Sequence, residues 1–205
     1  MLRLVRLAAL ATTVLLIGAS TVSAQRPRRG LVELPPEGTR HGVWLGGGLG
    51  AGAEAWRFDQ EEWTEDLRKP TFSFRVGGTP DEHLRLGGEL TTWVNPYTDQ
   101  SGFDVTESLT SLTLIGQFYP IRTSGLFLKG GAGVGFSAVT VEGGDNTTET
   151  GFVVQYGAGY DIRLGRKLFL TPTVEFFRHQ FTQRDEPTLH ERLFNIGIAI
   201  TYQPN

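Results

Sequence analysis

Residues able to do chemistry are sparse in this 205-residue chain, and their types limit what that chemistry could be. Glu175 and His179 share one parity, and Ser137 could lie at a similar height on an earlier segment. Ser, His and a carboxylate are the types of a hydrolytic triad, in which an oriented imidazole takes the proton of the hydroxyl. No local nucleophile signature surrounds any of the three. The four histidines, His41, His83, His179 and His190, never occur at HExxH spacing, and Cys is absent. A zinc centre is therefore not expected. Gly48-Leu49-Gly50-Ala51-Gly52-Ala53 fits the loose G-x-G-x-x-G/A pattern. That pattern binds a dinucleotide only between a strand and a helix, and here it lies within an extended segment. No catalytic residue, metal or cofactor is expected from these patterns.

The elements that must position these residues are extended. Apart from an N-terminal apolar run, no stretch reaches 18 apolar residues, so no further membrane helix is predicted. What recurs is period-two alternation, which aligns one set of side chains on each face of a strand. Phe194, Ile196, Ile198, Ile200 and Tyr202 oppose Asn195, Gly197, Ala199 and Thr201. Seven earlier segments repeat this, around Val43–Ala51, Phe72–Val76, Leu84–Val94, Leu112–Phe118, Leu126–Phe136, Phe152–Ile162 and Leu168–Phe176. Pro172 interrupts the seventh, where a lost ladder bond or a bulge is expected. The connections alternate. Long ones are expected at about 54–70, 95–104, 142–149 and 182–189, short ones at 79–82, 120–124 and 165–166. Eight strands so connected predict an all-β fold, a closed antiparallel up-and-down eight-stranded transmembrane β-barrel.

Composition decides which face is inside. Hydrophobic residues make up 39% of the chain and charged residues 20%, with a formal net charge of −3, which gives no reason to expect a nucleic-acid partner. The polar faces are half glycine and carry few charges for a surface in water. A soluble ligand-binding barrel would instead be apolar within and richly charged without. The aliphatic face, with Phe72, Phe118, Phe136, Tyr156, Tyr160, Phe176, Phe194 and Tyr202, is therefore assigned to lipid. The glycines leave room for inward Trp44, Trp93, Tyr119, Phe127, Phe169 and Phe177. The same inward face carries Arg75, Arg85 and Lys129 against Glu89, Asp161 and Glu175. Six charges in a narrow lumen must pair, which predicts one charge-paired polar plug. Eight strands leave a bore just wide enough for side chains, so a wide pore is not expected.

The first 24 residues differ from the rest. Arg3 and Arg6 precede an apolar run from Leu7 to Ile17, and Val22-Ser23-Ala24 ends a small-residue stretch. This reads as a secretory signal, residues 1–24. Residues 25–40, with Pro27, Pro35, Pro36 and four Arg, read as an extended N-terminal tether outside the fold, and residues 41–205 as the barrel.

The terminal run Asn195-Ile196-Gly197-Ile198-Ala199-Ile200-Thr201-Tyr202 resembles the assembly signal of bacterial outer-membrane barrels, a polar residue, a glycine, a hydrophobic residue and a final aromatic at fixed spacing. Asn195, Gly197, Ile200 and Tyr202 stand at those positions, although Gln203-Pro204-Asn205 follow where many members stop. Over about residues 41–203 the chain resembles small eight-stranded outer-membrane barrels of the OmpA/OmpX type. A monomer is expected, and that resemblance implies a Gram-negative outer membrane, insertion by the barrel-assembly machinery, four extracellular loops and a periplasmic N-terminus, so that residues 25–40 form a periplasmic tether. It implies a structural or surface-interaction role with an unnamed extracellular partner of the loops, and not an enzyme. Arg178 and Arg192, outward and near the loop end, are candidate contacts for lipopolysaccharide phosphates. The alternatives are a lipid A acyl hydrolase or acyltransferase, or a narrow channel.

Overall fold

Alternation of large apolar and small or polar residues gives each segment one face for hydrocarbon and one for a crowded interior, so the segments pair edge to edge. The structure, a computed structural model, describes residues 40–59, 61–144, 146–182 and 187–204. The leader of residues 1–24 and residues 25–39 of the tether lie outside the described residues. The strands are β1 (Gly42–Phe58), β2 (Leu67–Asp81), β3 (Leu84–Thr98), β4 (Asp104–Phe118), β5 (Leu126–Val141), β6 (Thr147–Tyr160), β7 (Ile162–Arg163), β8 (Leu168–Phe181) and β9 (Leu189–Tyr202).

β6 and β7 are two pieces of one barrel strand, parted at Asp161, so nine segments make eight staves. Each stave pairs antiparallel with its neighbours in chain order, β6 pairs with β8, and β1 closes the circle against β9. The parting has a cause in the sequence. The β6–β8 ladder stops at Gly159↔Thr173 and the β7–β8 ladder resumes at Ile162↔Leu170. Pro172 lies in that gap and has no N–H to give. On its other side Pro172 faces Ile198 with the register unbroken, so the expected irregularity is a gap in one ladder and not a bulge.

The assigned sidedness holds in the structure. Leu49, Leu114, Ile196 and Ile198 project outward, with Leu114 78% exposed. Trp44, Trp93, Tyr119, Phe127, Phe169 and Phe177 are buried inside. Ile115, which breaks the polar face of β4, also points in and is buried. Glycine makes the packing possible at particular places. A Cβ on Gly159 would strike the Phe127 ring and stand 2.9 Å from the carbonyl of Pro172. One on Gly52 would stand 2.7 Å from Leu193 and 3.0 Å from Trp93. Phe118, Tyr160 and Tyr202 end their strands on the outward face, at the end where the chain enters and leaves.

Two expectations about the connections need correction. The staves run past the alternating segments, β1 extending from Gly42 to Phe58 where the alternation covered Val43–Ala51. The long loops shrink to residues 59–66, 99–103, 142–146 and 182–188, and the connection expected as short at 120–124 covers 119–125. Alternation is lost to the eye once side chains on both faces become polar, yet the ladder continues past the apolar band. At about 3.3 Å per residue, such strands outreach a core about 30 Å thick even when tilted about 45°. Their far ends therefore carry polar residues on the outside as well, among them Arg68, Arg178 and Arg192.

Candidate functional site

The lumen is filled in successive layers, and its charges fall into two clusters instead of the single plug expected. At the end holding both termini, Arg85 on β3 donates from Nη1 to Asp161 Oδ2 at 2.8 Å and to the Tyr119 hydroxyl at 2.6 Å. Tyr119 donates to the same Asp161 oxygen at 2.9 Å, and Thr171 donates to the other at 2.9 Å. The register is the same on both sides of the gap between β6 and β7, so Asp161 keeps its inward parity there. Gln203, beyond the last strand, accepts from Arg85 and donates from Nε2 to the carbonyl of His41 at 2.7 Å and to Thr79 at 3.1 Å. The tail that departs from the terminal pattern thus seals the base of the barrel.

Arg40 completes that seal. It donates to the carbonyls of Arg122 at 3.0 Å and Ser124 at 2.6 Å, and its guanidinium lies 3.8 Å from the centre of the Tyr119 ring. Burial, the largest influence, and the charge of Arg85 both lower its pKa from the ordinary guanidinium value. Neither Arg40 nor Gln203 is visible as functional from periodicity, since both stand just outside the alternating segments.

Midway up, Arg75 on β2, Glu89 on β3, Lys129 on β5 and Glu175 on β8 form the second cluster. Lys129 Nζ donates to both Glu89 oxygens, at 2.7 and 2.9 Å, and also to Glu175. Arg75 Nε stands 3.4 Å from Glu89, a charge contact without hydrogen-bond geometry. Asn195 donates to Glu175 at 3.1 Å and accepts from Thr71 at 2.7 Å. All four charged side chains are at most 2% exposed, and two of each sign cancel. Buried ions so matched avoid the cost of an unpaired charge.

Above lies an apolar layer of Trp93, Leu109, Val153, Phe177, Phe181 and Leu193. The triad types are not brought together. His179 Nε2 is 2.7 Å from Ser111 Oγ, its ring is stacked between Phe177 and Phe181, and its Nδ1 has no hydrogen-bond partner among the described residues. Ser137 instead donates to Glu191 at 3.0 Å, and Glu175 is held by Lys129. Parity places all three inward, but cross-barrel partners depend on strand stagger, which spacing along the chain does not encode. Among the described residues no group of three His, Asp or Glu side chains could hold a metal ion.

Outside the barrel, Arg178 and Arg192 face each other across the β8–β9 ladder. Arg192 reaches Asp66 at 3.1 Å and the Trp63 ring at 4.7 Å. It also lines an outward groove of about 570 Å³ with Arg68, Phe176, Phe194 and Ile196. In the terminal run, Asn195 turns inward to Glu175, whereas Ile200 and Tyr202 face out.

Comparison with known proteins bears on this arrangement. No curated protein matches the sequence. Among solved structures, Neisserial surface protein A is 13% identical, covers 81% of this chain and 99% of its own, and gives a TM-score of 0.53. Ail, the attachment invasion locus protein of Yersinia pestis, solved with the heparin analogue sucrose octasulfate, is 12% identical over 77% of this chain and 99% of its own, at a TM-score of 0.46. OprG of Pseudomonas aeruginosa is 13% identical over 82% and 99%, at 0.43. At such identities the likeness is one of fold. The model of the outer membrane protein β-barrel domain matches residues 12–201, nearly the whole chain, and the protein therefore belongs to that family of outer-membrane barrels.

Proposed function

We propose that this protein is a monomeric, non-conducting scaffold of the outer membrane that meets its partners through the four loops at the end opposite its termini. The observation that carries this reading is the filled lumen. A charge-neutral cluster midway, the Arg85–Asp161 pair, an apolar layer and a base closed by Arg40, Tyr119 and Gln203 crowd the bore among the described residues, which supports a lumen without a wide path for ions. Planar-bilayer recording from the purified, folded protein tests it. Near-silent membranes are expected, and a large, steady conductance overturns it.

Orientation and export follow from the same reading. The Val22-Ser23-Ala24 stretch supports cleavage before Gln25, so N-terminal sequencing of membrane-extracted protein should begin at Gln25. The terminal run supports delivery to the barrel-assembly machinery. Lipopolysaccharide is the expected lipid partner, because the outward groove joins guanidinium groups to an apolar wall, as phosphate and acyl chains require. Replacing both Arg178 and Arg192 with Gln should reduce co-purified lipopolysaccharide, and an unchanged amount removes this partner.

A non-enzymatic role is favoured by the position of the one Ser–His pair among the described residues. Ser111 and His179 are both buried, lack an acidic orienter and are walled from the acyl chains by the barrel. Purified protein should leave lipid A unchanged, and deacylation lost on changing His179 would restore the enzymatic alternative.

A further inference from the structure

The end bearing the longer strand extensions holds an open cup of about 580 Å³, and its chemistry is one-sided. Inward parity at the far ends of four staves brings Glu54 on β1, Glu107 on β4, Glu149 on β6 and Glu191 on β9 to its wall, and Glu65 joins them at the rim. No Lys, Arg or His lines it among the described residues. Two arginines on the strands that carry Glu54 and Glu191 are engaged elsewhere. Arg192 holds Asp66, and both Arg57 and Arg192 lie against the Trp63 ring.

Glu54 is the second, independent observation. It is 7% exposed, lines the cup, and has no hydrogen bond or ion pair among the described residues. Two of the other acids have partners. Glu191 accepts from Ser137, and Glu107 accepts from Asn95 and Tyr97, each at 2.9 Å. Deeper in the lumen every carboxylate is matched by a cation, so an unmatched one facing a cavity is out of keeping with the rest. A carboxyl so placed without a cation favours its neutral form, and a cationic ligand would bind it by taking the place of that proton.

The remaining wall selects the kind of cation. Trp56, Phe58 and Trp93 are aromatic, and Leu67, Leu109 and Leu189 are aliphatic. The acids are too dispersed to gather round one metal ion, as the lack of a three-ligand group among the described residues attests. The volume is that of a small-molecule site, and ring faces beside carboxylates suit an organic cation. We propose that this cup binds an organic ammonium or guanidinium carrying an apolar body. The charged head would lie at Glu54 and Glu191, with its body against Trp56 and the Trp93–Leu109 floor.

The proposal stands independently of whether the lumen conducts, and its test reads tryptophan emission from the folded full-length barrel in zwitterionic micelles. The probe is benzyltrimethylammonium, set against its neutral isostere neopentylbenzene, the anion benzenesulfonate and calcium chloride. Saturable quenching by the ammonium is expected, at least about ten-fold tighter than by the isostere, with none by the anion. Glu54→Gln and Glu191→Gln should each weaken the ammonium about ten-fold while keeping heat-modifiable gel migration, which marks a closed barrel. Glu61→Gln, on an exposed loop residue outside the cup, should change nothing. Equal binding of the isostere overturns the proposal in favour of a plain apolar cup. Quenching by calcium alone overturns it in favour of an inorganic cation. Unchanged ammonium affinity in both folded variants overturns it outright.

Discussion

Lys129 shows how the interior is kept neutral at the level of one side chain. Its three protons reach both oxygens of Glu89 and one of Glu175, so it alone bridges β3 and β8 through the bore. Lys129→Met leaves two buried carboxylates facing a single guanidinium that meets Glu89 only by proximity. Loss of about 3–5 kcal/mol is expected, the scale for breaking one partner from a buried pair. Adding Glu175→Gln to that variant removes one charge of each sign and should restore part of the loss. Urea unfolding in micelles, followed by gel migration, checks the order of the three proteins. A single variant as stable as the double would remove the charge-matching account. The pairing itself was half legible. Parity put Arg75, Glu89, Lys129 and Glu175 inside, but not which would touch. Ser111 and Ser137 share the inward parity, and only strand stagger decides that Ser111 is the one to meet His179.

The strands tell what periodicity can and cannot carry. From Phe194 to Tyr202 the alternation is unbroken, and both the face and the element follow from it. Farther out the same strands turn polar on both sides, so Glu54 and Glu149 looked like loop residues and their shared wall was invisible. Arg40 and Gln203 escaped for a related reason, as single residues beyond the repeat have no pattern to belong to. Two substitutions test the strand account. Leu114→Lys, on the most exposed outward position of β4, should cost about 2–4 kcal/mol near the bilayer midplane, read by folding into lipid vesicles. A neutral result would mean that this face does not meet hydrocarbon. Gly159→Ala, measured by thermal unfolding in micelles, should lower the midpoint, because the new methyl meets Phe127 on one side and the Pro172 carbonyl on the other. Gly130, whose Cβ direction is open, should accept Ala with little change.

At the scale of the whole barrel, Arg40 and His41 at the start of the described residues and Gln203 near their end converge on the cluster around Arg85. Removing Gln203-Pro204-Asn205 takes away an acceptor from Arg85 and the clasp to His41 and Thr79. The truncated protein should still close, since the β1–β9 ladder ends at Tyr202, but its thermal midpoint should fall. Unchanged heat resistance would show that the tail merely occupies the base.

That same ladder joins the earliest stave to the final one, Leu45 to Tyr202 and Phe58 to Leu189. A nascent polypeptide released only as far as β8 has two raw margins and no way to cover them. Closure is therefore an event that must await complete synthesis. Until it happens, a sticky half-built hoop needs an escort through water to keep its open borders from finding those of another copy.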